Sequence, residues 1–348
     1  MKKLLSLVMT GVVAMSALTA CGSSQSTTAG TTAAGNAGSA ETTAAGNAGS
    51  GTASGEEVVF GTGGTTGTYY AVGGVMATVL NPLMKNSHLT VTSTGASKAN
   101  IQLIDDGDAD IAIVQNDVMA YAHDGSDLFA DEGAYETFAP VAGLYDETVQ
   151  IITCTDDIKT VADLKGKTVS VGDAGSGVEF NARQILDAYG LSFDDIKVVN
   201  ASFGDSADSL KDQKIDAAFI VAGAPTTAVV DLSTTKDIHL VELDDEHIST
   251  LQGKYSFYTP TTIPAGTYKG VDADAKTVSV RATIIASTKL SEDVIYEMLK
   301  TMFDNKDALA AGHAKFELLS LEDATKGINI PIHPGAKKYY EEQGISVN

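Results

Sequence analysis

VVFGTGGTTGTYYAVGG, residues 58–74, reads as a short apolar strand, a glycine and threonine turn, and the start of a helix. The same order recurs along the chain. Thr92-Ser93 runs into Thr94-Gly95-Ala96-Ser97-Lys98-Ala99-Asn100, Val171-Gly172 into Asp173-Ala174-Gly175-Ser176-Gly177, and Ile220-Val221 into Ala222-Gly223-Ala224-Pro225-Thr226-Thr227. Glycine lets backbone approach a ligand closely, and Pro225 suits a first helical turn, where its missing N–H costs nothing. In open α/β sheets the carboxyl ends of the strands face the binding crevice. Helix starts there offer unpaired N–H groups and a partial positive charge, which suits a carboxylate or phosphate. The chain has only two arginines, Arg183 and Arg281. An anionic ligand must therefore be held by dipoles and hydroxyls instead of guanidinium forks.

Outward from these loops, short apolar runs alternate with helical patterns, the signature of parallel α/β structure. Strands are expected at 58–60, 89–93, 110–115, 169–172, 197–200, 217–221 and 239–243. Helices are expected near 70–84, 97–106, 178–189, 205–213 and 225–232, with more after Ser291. Two longer β-rich runs, Phe138 to Thr155 and Thr277 to Ser287, interrupt the alternation and suit strands that leave one lobe and return to it. The fold class expected is α/β, a two-lobe design with hinge strands and an interlobe ligand cleft. Residues 56–142 completed by 276–348 form the first lobe, and 143–275 the second. About 290 residues follow position 55, enough for so large a core.

Other chemistries fit the residues poorly. A dinucleotide fingerprint starting at Gly61-Thr62-Gly63 would need a third glycine where Thr66 stands, and an acidic residue about twenty positions on. A phosphate-binding P-loop needs Lys after Gly177, where Val178 stands, and no Gly-x-Ser-x-Gly elbow surrounds Ser176. The six histidines show no zinc spacing, and Asp105–Asp110 lacks the sixth-position glycine of a calcium loop and its bidentate Glu, with Asn116 in that place. No acid–base pair or nucleophile constellation emerges, so an enzyme is not expected, nor a metal or cofactor. The formal net charge of −22 lacks the basic footprint a nucleic-acid partner requires. Cys154, in a strand-like apolar run, reads as a small buried hydrophobe.

The amino-terminal segment fixes the compartment. Met1-Lys2-Lys3 precedes an apolar run ending in Leu18-Thr19-Ala20-Cys21, the form of a secretory signal peptide over 1–20. Its ending resembles a bacterial lipobox, in which Cys21 would carry lipid and anchor the chain to the cell membrane on the extracytoplasmic side. Residues 21–55 are mostly Gly, Ala, Ser, Thr and Asn, and TTAAGNAGS occurs at both 31–39 and 42–50. Such a segment has no apolar face to bury and is expected to act as a flexible tether.

Taken in order, GTGGTTGTYYAVGG at 61–74, STGASKAN at 93–100, DADIAIVQND at 108–117, GDAGSGVEFNARQIL at 172–186 and IDAAFIVAGAPT at 215–226 resemble the TRAP-associated extracytoplasmic immunogenic (TAXI) proteins. These are solute receptors of tripartite ATP-independent periplasmic (TRAP) transporters, and the resemblance covers nearly all of 56–340. It implies a fold similar to type II periplasmic binding proteins. Ligand-binding positions then fall at Gly64, Thr65, Tyr69, Tyr70, Ser97, Asn100, Gln115, Ser176 and Gly177, with Ala224 and Pro225 as a fourth wall. One of the adjacent tyrosines is expected to face the cleft. Here Lys98-Ala99-Asn100 lacks the acid of the family's Ser-x-Glu-Asn, and Val178 replaces a common threonine. The resemblance implies capture of a small carboxylate or amino acid, of the glutamate, glutamine or dicarboxylate kind, and its delivery to TRAP permease subunits in the membrane. The alternative is a receptor of the same fold that presents ligand to a signalling protein.

Overall fold

Alternating apolar and amphipathic runs produce the first half of the molecule as β1 (Glu56–Gly61), α1 (Thr68–Leu80), β2 (Ser87–Thr92), α2 (Ser97–Asp106), β3 (Ile111–Gln115) and α3 (Asn116–Asp124). The long strand β4 (Phe138–Thr153) leads to β5 (Thr168–Ser170), α4 (Gly177–Ala188), β6 (Lys197–Val199), α5 (Phe203–Lys211), β7 (Ala217–Ala222), α6 (Thr227–Thr235), β8 (His239–Leu240), α7 (Asp245–Lys254) and β9 (Thr259–Ile263). A second long strand, β10 (Ala275–Ser287), returns to helices α8 (Glu292–Asp304), α9 (Lys306–Gly312) and α10 (Pro334–Glu342). This computed structural model describes residues 55–347. The leader over 1–20, Cys21 and the tether up to residue 54 lie outside them.

The strands form one mixed ten-stranded sheet in the order β2-β1-β3-β10-β4-β7-β5-β6, with β8 beside β4 and β9 beside β10. The expectation of parallel sheets holds only at the flanks. β1 pairs in parallel with β2 and β3, and β5 with β6 and β7, whereas every pairing made by β4 and β10 is antiparallel. The two long strands run the other way because they carry the chain between halves without a crossover helix. Their own pairing is irregular, with a register shift between Arg281 and Thr283. Such shifts bend a strand and re-aim its side chains.

Both faces of the sheet are covered, so its inner strands read as continuous apolar runs. Ile111 and Ile113 of β3 join one cluster with Val58, Phe60 and Ile284, while Ala112 and Val114 join another with Ile101, Ile104 and Ile285. The far half repeats this division. Val149, Ile151 and Phe219 point to one side, Ile152, Ala218 and Ile220 to the other. Each fully buried large aliphatic or aromatic side chain contributes roughly 1.5–3 kcal/mol. Phe180 is the exception to the division: it stands on α4 but packs with Phe129, Tyr121 and the cluster behind β3. Helices α3 and α7 and strand β9 were not anticipated from sequence. Cys154 is a free thiol of intermediate exposure, less buried than expected.

Candidate functional site

The turns after β1, β2 and β5 and the end of β7 converge on one cavity of about 40 Å³, lined by Gly64, Thr68, Tyr69, Ala96, Ser97, Gln115, Glu147, Ser176, Gly177, Phe203 and Ala222 among others. That volume admits a few waters or a small head group. Four helices whose starts contribute lining residues, α1, α2, α3 and α4, have no side-chain hydrogen bond at the N-cap. α5, whose Phe203 also lines the cavity, is capped by Ser202, while α6 and α9, which start away from it, are uncapped. An uncapped helix start retains N–H donors for a ligand.

Local chemistry explains why the turns reach so close. Gly172 has φ of +83°, and a Cβ there would come within 2.6 Å of Val178 Cβ. Gly177, the first residue of α4, lies against the Gln115 amide, and a Cβ on it would overlap Gln115 Oε1. Ala96, the N-cap of α2, takes φ 66° and ψ −144°, a strained conformation worth roughly 1–3 kcal/mol, and it too faces the cavity. Ser176 Oγ and Gln115 Oε1 are buried and have no hydrogen-bond partner among the described residues. Orphaned buried polar atoms cost about 1–3 kcal/mol each unless a ligand or water pairs them.

The structure brings together Gly64, Tyr69, Ser97, Gln115, Ser176 and Gly177 of the sequence-derived set. Thr65 lies beside the cavity in a surface groove with Thr66, Ser93 and Asp205. Of the two tyrosines, Tyr69 lines the cavity while Tyr70 is 36% exposed. Asn100 is fully buried but spent: its Nδ2 donates to Thr62 O at 2.7 Å and Ile113 O at 2.8 Å, and its Oδ1 accepts from Thr94 Oγ1 at 2.6 Å. It ties three strand ends together and does not line the cavity. Ser97 Oγ accepts from the Gln115 N–H at 3.1 Å, which fixes the end of β3. Ala224 and Pro225 fall outside the lining, whose fourth wall is Val221, Ala222 and Phe203. The Ala224 carbonyl instead accepts from Lys315 Nζ at 2.7 Å.

Glu147 was missed from sequence, where it sits inconspicuously in a long β run. It is 2% exposed, and its Oε2 accepts from Tyr69 OH at 2.5 Å. Burial pushes its carboxyl up to about 8, against a lowering by Tyr69. The same burial raises Tyr69 and Tyr145 well above the usual phenol range. Among the described residues no lysine or arginine lines the cavity. Arg183 pairs with Glu179 at 2.8 Å, and Arg281 with Asp146 at 3.1 Å.

Beside the cavity, a buried polar network joins the two halves. Asn181 Nδ2 on α4 donates to Asp117 Oδ2 at 3.0 Å, and Gln184 Nε2 donates to Tyr121 OH at 3.1 Å. Tyr258 OH accepts from Asn181 and donates to Gln184 Oε1. Asp117 is pushed up to about 7, chiefly by burial.

The architecture is a mixed α/β sheet covered by helices, with a cavity where strand ends converge. Residues 60–344 match the NMT1-like family, and the chain belongs to it. Among solved structures it is similar to the periplasmic aliphatic sulphonate binding protein SsuA from Escherichia coli, with 17% identity over 82% of this chain and 83% of that one, and a TM-score of 0.44. SsuA from Xanthomonas axonopodis pv. citri, bound to MOPS, is 14% identical over 82% and 83%, with a TM-score of 0.49. The amino acid ABC transporter substrate-binding protein AbpA from Streptococcus pneumoniae, bound to L-arginine, is 14% identical over 75% and 94%, with a TM-score of 0.44.

Proposed function

We propose that the chain is an extracytoplasmic solute-binding lipoprotein of the TAXI type, anchored through Cys21, that delivers a small carboxylate or amino acid to TRAP permease subunits. It is a receptor and not an enzyme. One observation carries this reading: uncapped helix starts meet at a cavity whose Gln115 and Ser176 oxygens are buried without partners. A ligand carboxylate would accept from the N–H groups at the starts of α2 and α4 and from Ser176 Oγ. The long strands β4 and β10 serve as the hinge, and ligand favours the closed form by pairing groups from both halves. The motifs at 61–74, 93–100 and 172–186 support the narrower TAXI assignment.

Calorimetry of the purified protein against a panel of amino acids and organic acids tests it. Saturable binding of a carboxylate-bearing compound is expected. Absence of binding at millimolar concentration across the panel would refute it.

A further inference from the structure

Glu147 has an acceptor to spare. Its Oε2 takes the Tyr69 hydroxyl, whereas Oε1 has no hydrogen-bond partner among the described residues. Across the same small space stands Gln115 Oε1, likewise unpaired. A ligand carrying only carboxylates could use the helix starts but would leave Gln115 Oε1 facing nothing. It would also force Glu147 to keep its proton, because two carboxylates side by side in so buried a space cannot both ionise. A protonated amine supplies both the positive charge and several N–H donors.

We propose that Glu147 receives the ammonium of the ligand, so that the site selects α-amino acids over carboxylates of the same skeleton that lack the amine. This rests on reading the cavity as the ligand site. The groups that bear on Glu147 are Tyr69 from α1, Asp117 from α3, Tyr145 on its own strand and Lys315 after α9. Lys315 is held by the Ala224 carbonyl and makes no ion pair with Glu147. Burial keeps Glu147 mostly protonated in the empty site at pH 7, so an arriving ammonium ionises it and expels a proton.

The test titrates the purified full-length protein by calorimetry at pH 7, in phosphate and in Tris, with matched probes: L-glutamate against glutarate and L-leucine against 4-methylpentanoate. The amino acid of at least one pair is expected to bind tenfold or more tightly than its deaminated partner, with heats that differ between buffers by a released proton. Glu147→Gln should erase both effects and Asp117→Asn should keep the preference. A deaminated probe that binds as tightly as its amino acid overturns the inference but leaves the receptor reading standing. So does a preference that survives Glu147→Gln. No binding by any probe at millimolar concentration overturns both. If Glu147→Gln does not fold, the wild-type ratio and proton count decide alone.

Discussion

Asp117→Asn should stabilise the protein at pH 8 and leave it unchanged near pH 4. Asp117 is 1% exposed in the first turn of α3, and it receives a single side-chain hydrogen bond, from Asn181. Its Oδ1 and the facing Asn181 Oδ1 are both buried acceptors without donors. Burial raises the carboxyl from 3.8 to about 7. The folded protein therefore keeps a proton that the unfolded chain gives up from about pH 4 upward, and folding stability falls as pH rises through that window. A rise of about 3 pKa units corresponds to ~4 kcal/mol lost by pH 8. An asparagine retains the acceptor for Asn181, adds an N–H₂ donor and has no charge to bury. Urea denaturation of both proteins from pH 4 to 8 reads the difference directly. Glu147 adds its own decline over a similar range; the Asp117 charge helps raise it, so Asp117→Asn eases that decline too and adds to the gain at pH 8. An Asp117→Asn protein no more stable than wild type at pH 8, or offset equally at both ends, would refute the reasoning.

Gly177→Ala places a methyl against the Gln115 amide at a helix start, where alanine is otherwise well tolerated. Ligand affinity by calorimetry should fall at least tenfold, ~1.4 kcal/mol, and the thermal midpoint should drop as the buried Gln115 amide is displaced. Asn100→Ala should cost ~1–3 kcal/mol of stability in denaturant by stripping buried Thr62 and Ile113 carbonyls of a donor. Phe180→Ala should cost about 3–5 kcal/mol in the same assay, because the ring fills space between Tyr121 and Phe129.

Much of the fold was legible in the sequence because its signals are local. Strand, glycine turn and helix start follow one another within about a dozen residues in each loop, and α2 was expected at its observed bounds, Ser97–Asp106. Long apolar runs likewise announced β4 and β10. What sequence could not show was direction: an antiparallel passage through the sheet centre depends on where the chain returns, not on side-chain pattern. Helix α3 was hidden because it follows Gln115 with no intervening turn and no capping residue. At the site, six of the expected residues meet at the cavity, and the departures have physical causes. Tyr69 and Tyr70 are neighbours on a helix and cannot share a face. Asn100 had the right chemistry, but three strand-end partners use it up. Glu147 gave no signal, since an acid amid β-branched residues ordinarily marks a solvated face. Its buried partner, the Tyr69 hydroxyl, arrives from α1, far away in sequence.

A crystal structure of the protein with the tightest-binding member of the panel tests the central claim most directly. The ligand carboxylate should lie within ~2.7–3.1 Å of backbone N–H groups at the starts of α2 and α4 and of Ser176 Oγ, with no guanidinium in contact. A ligand seated elsewhere, or one whose carboxylate points away from those helix starts, would contradict it.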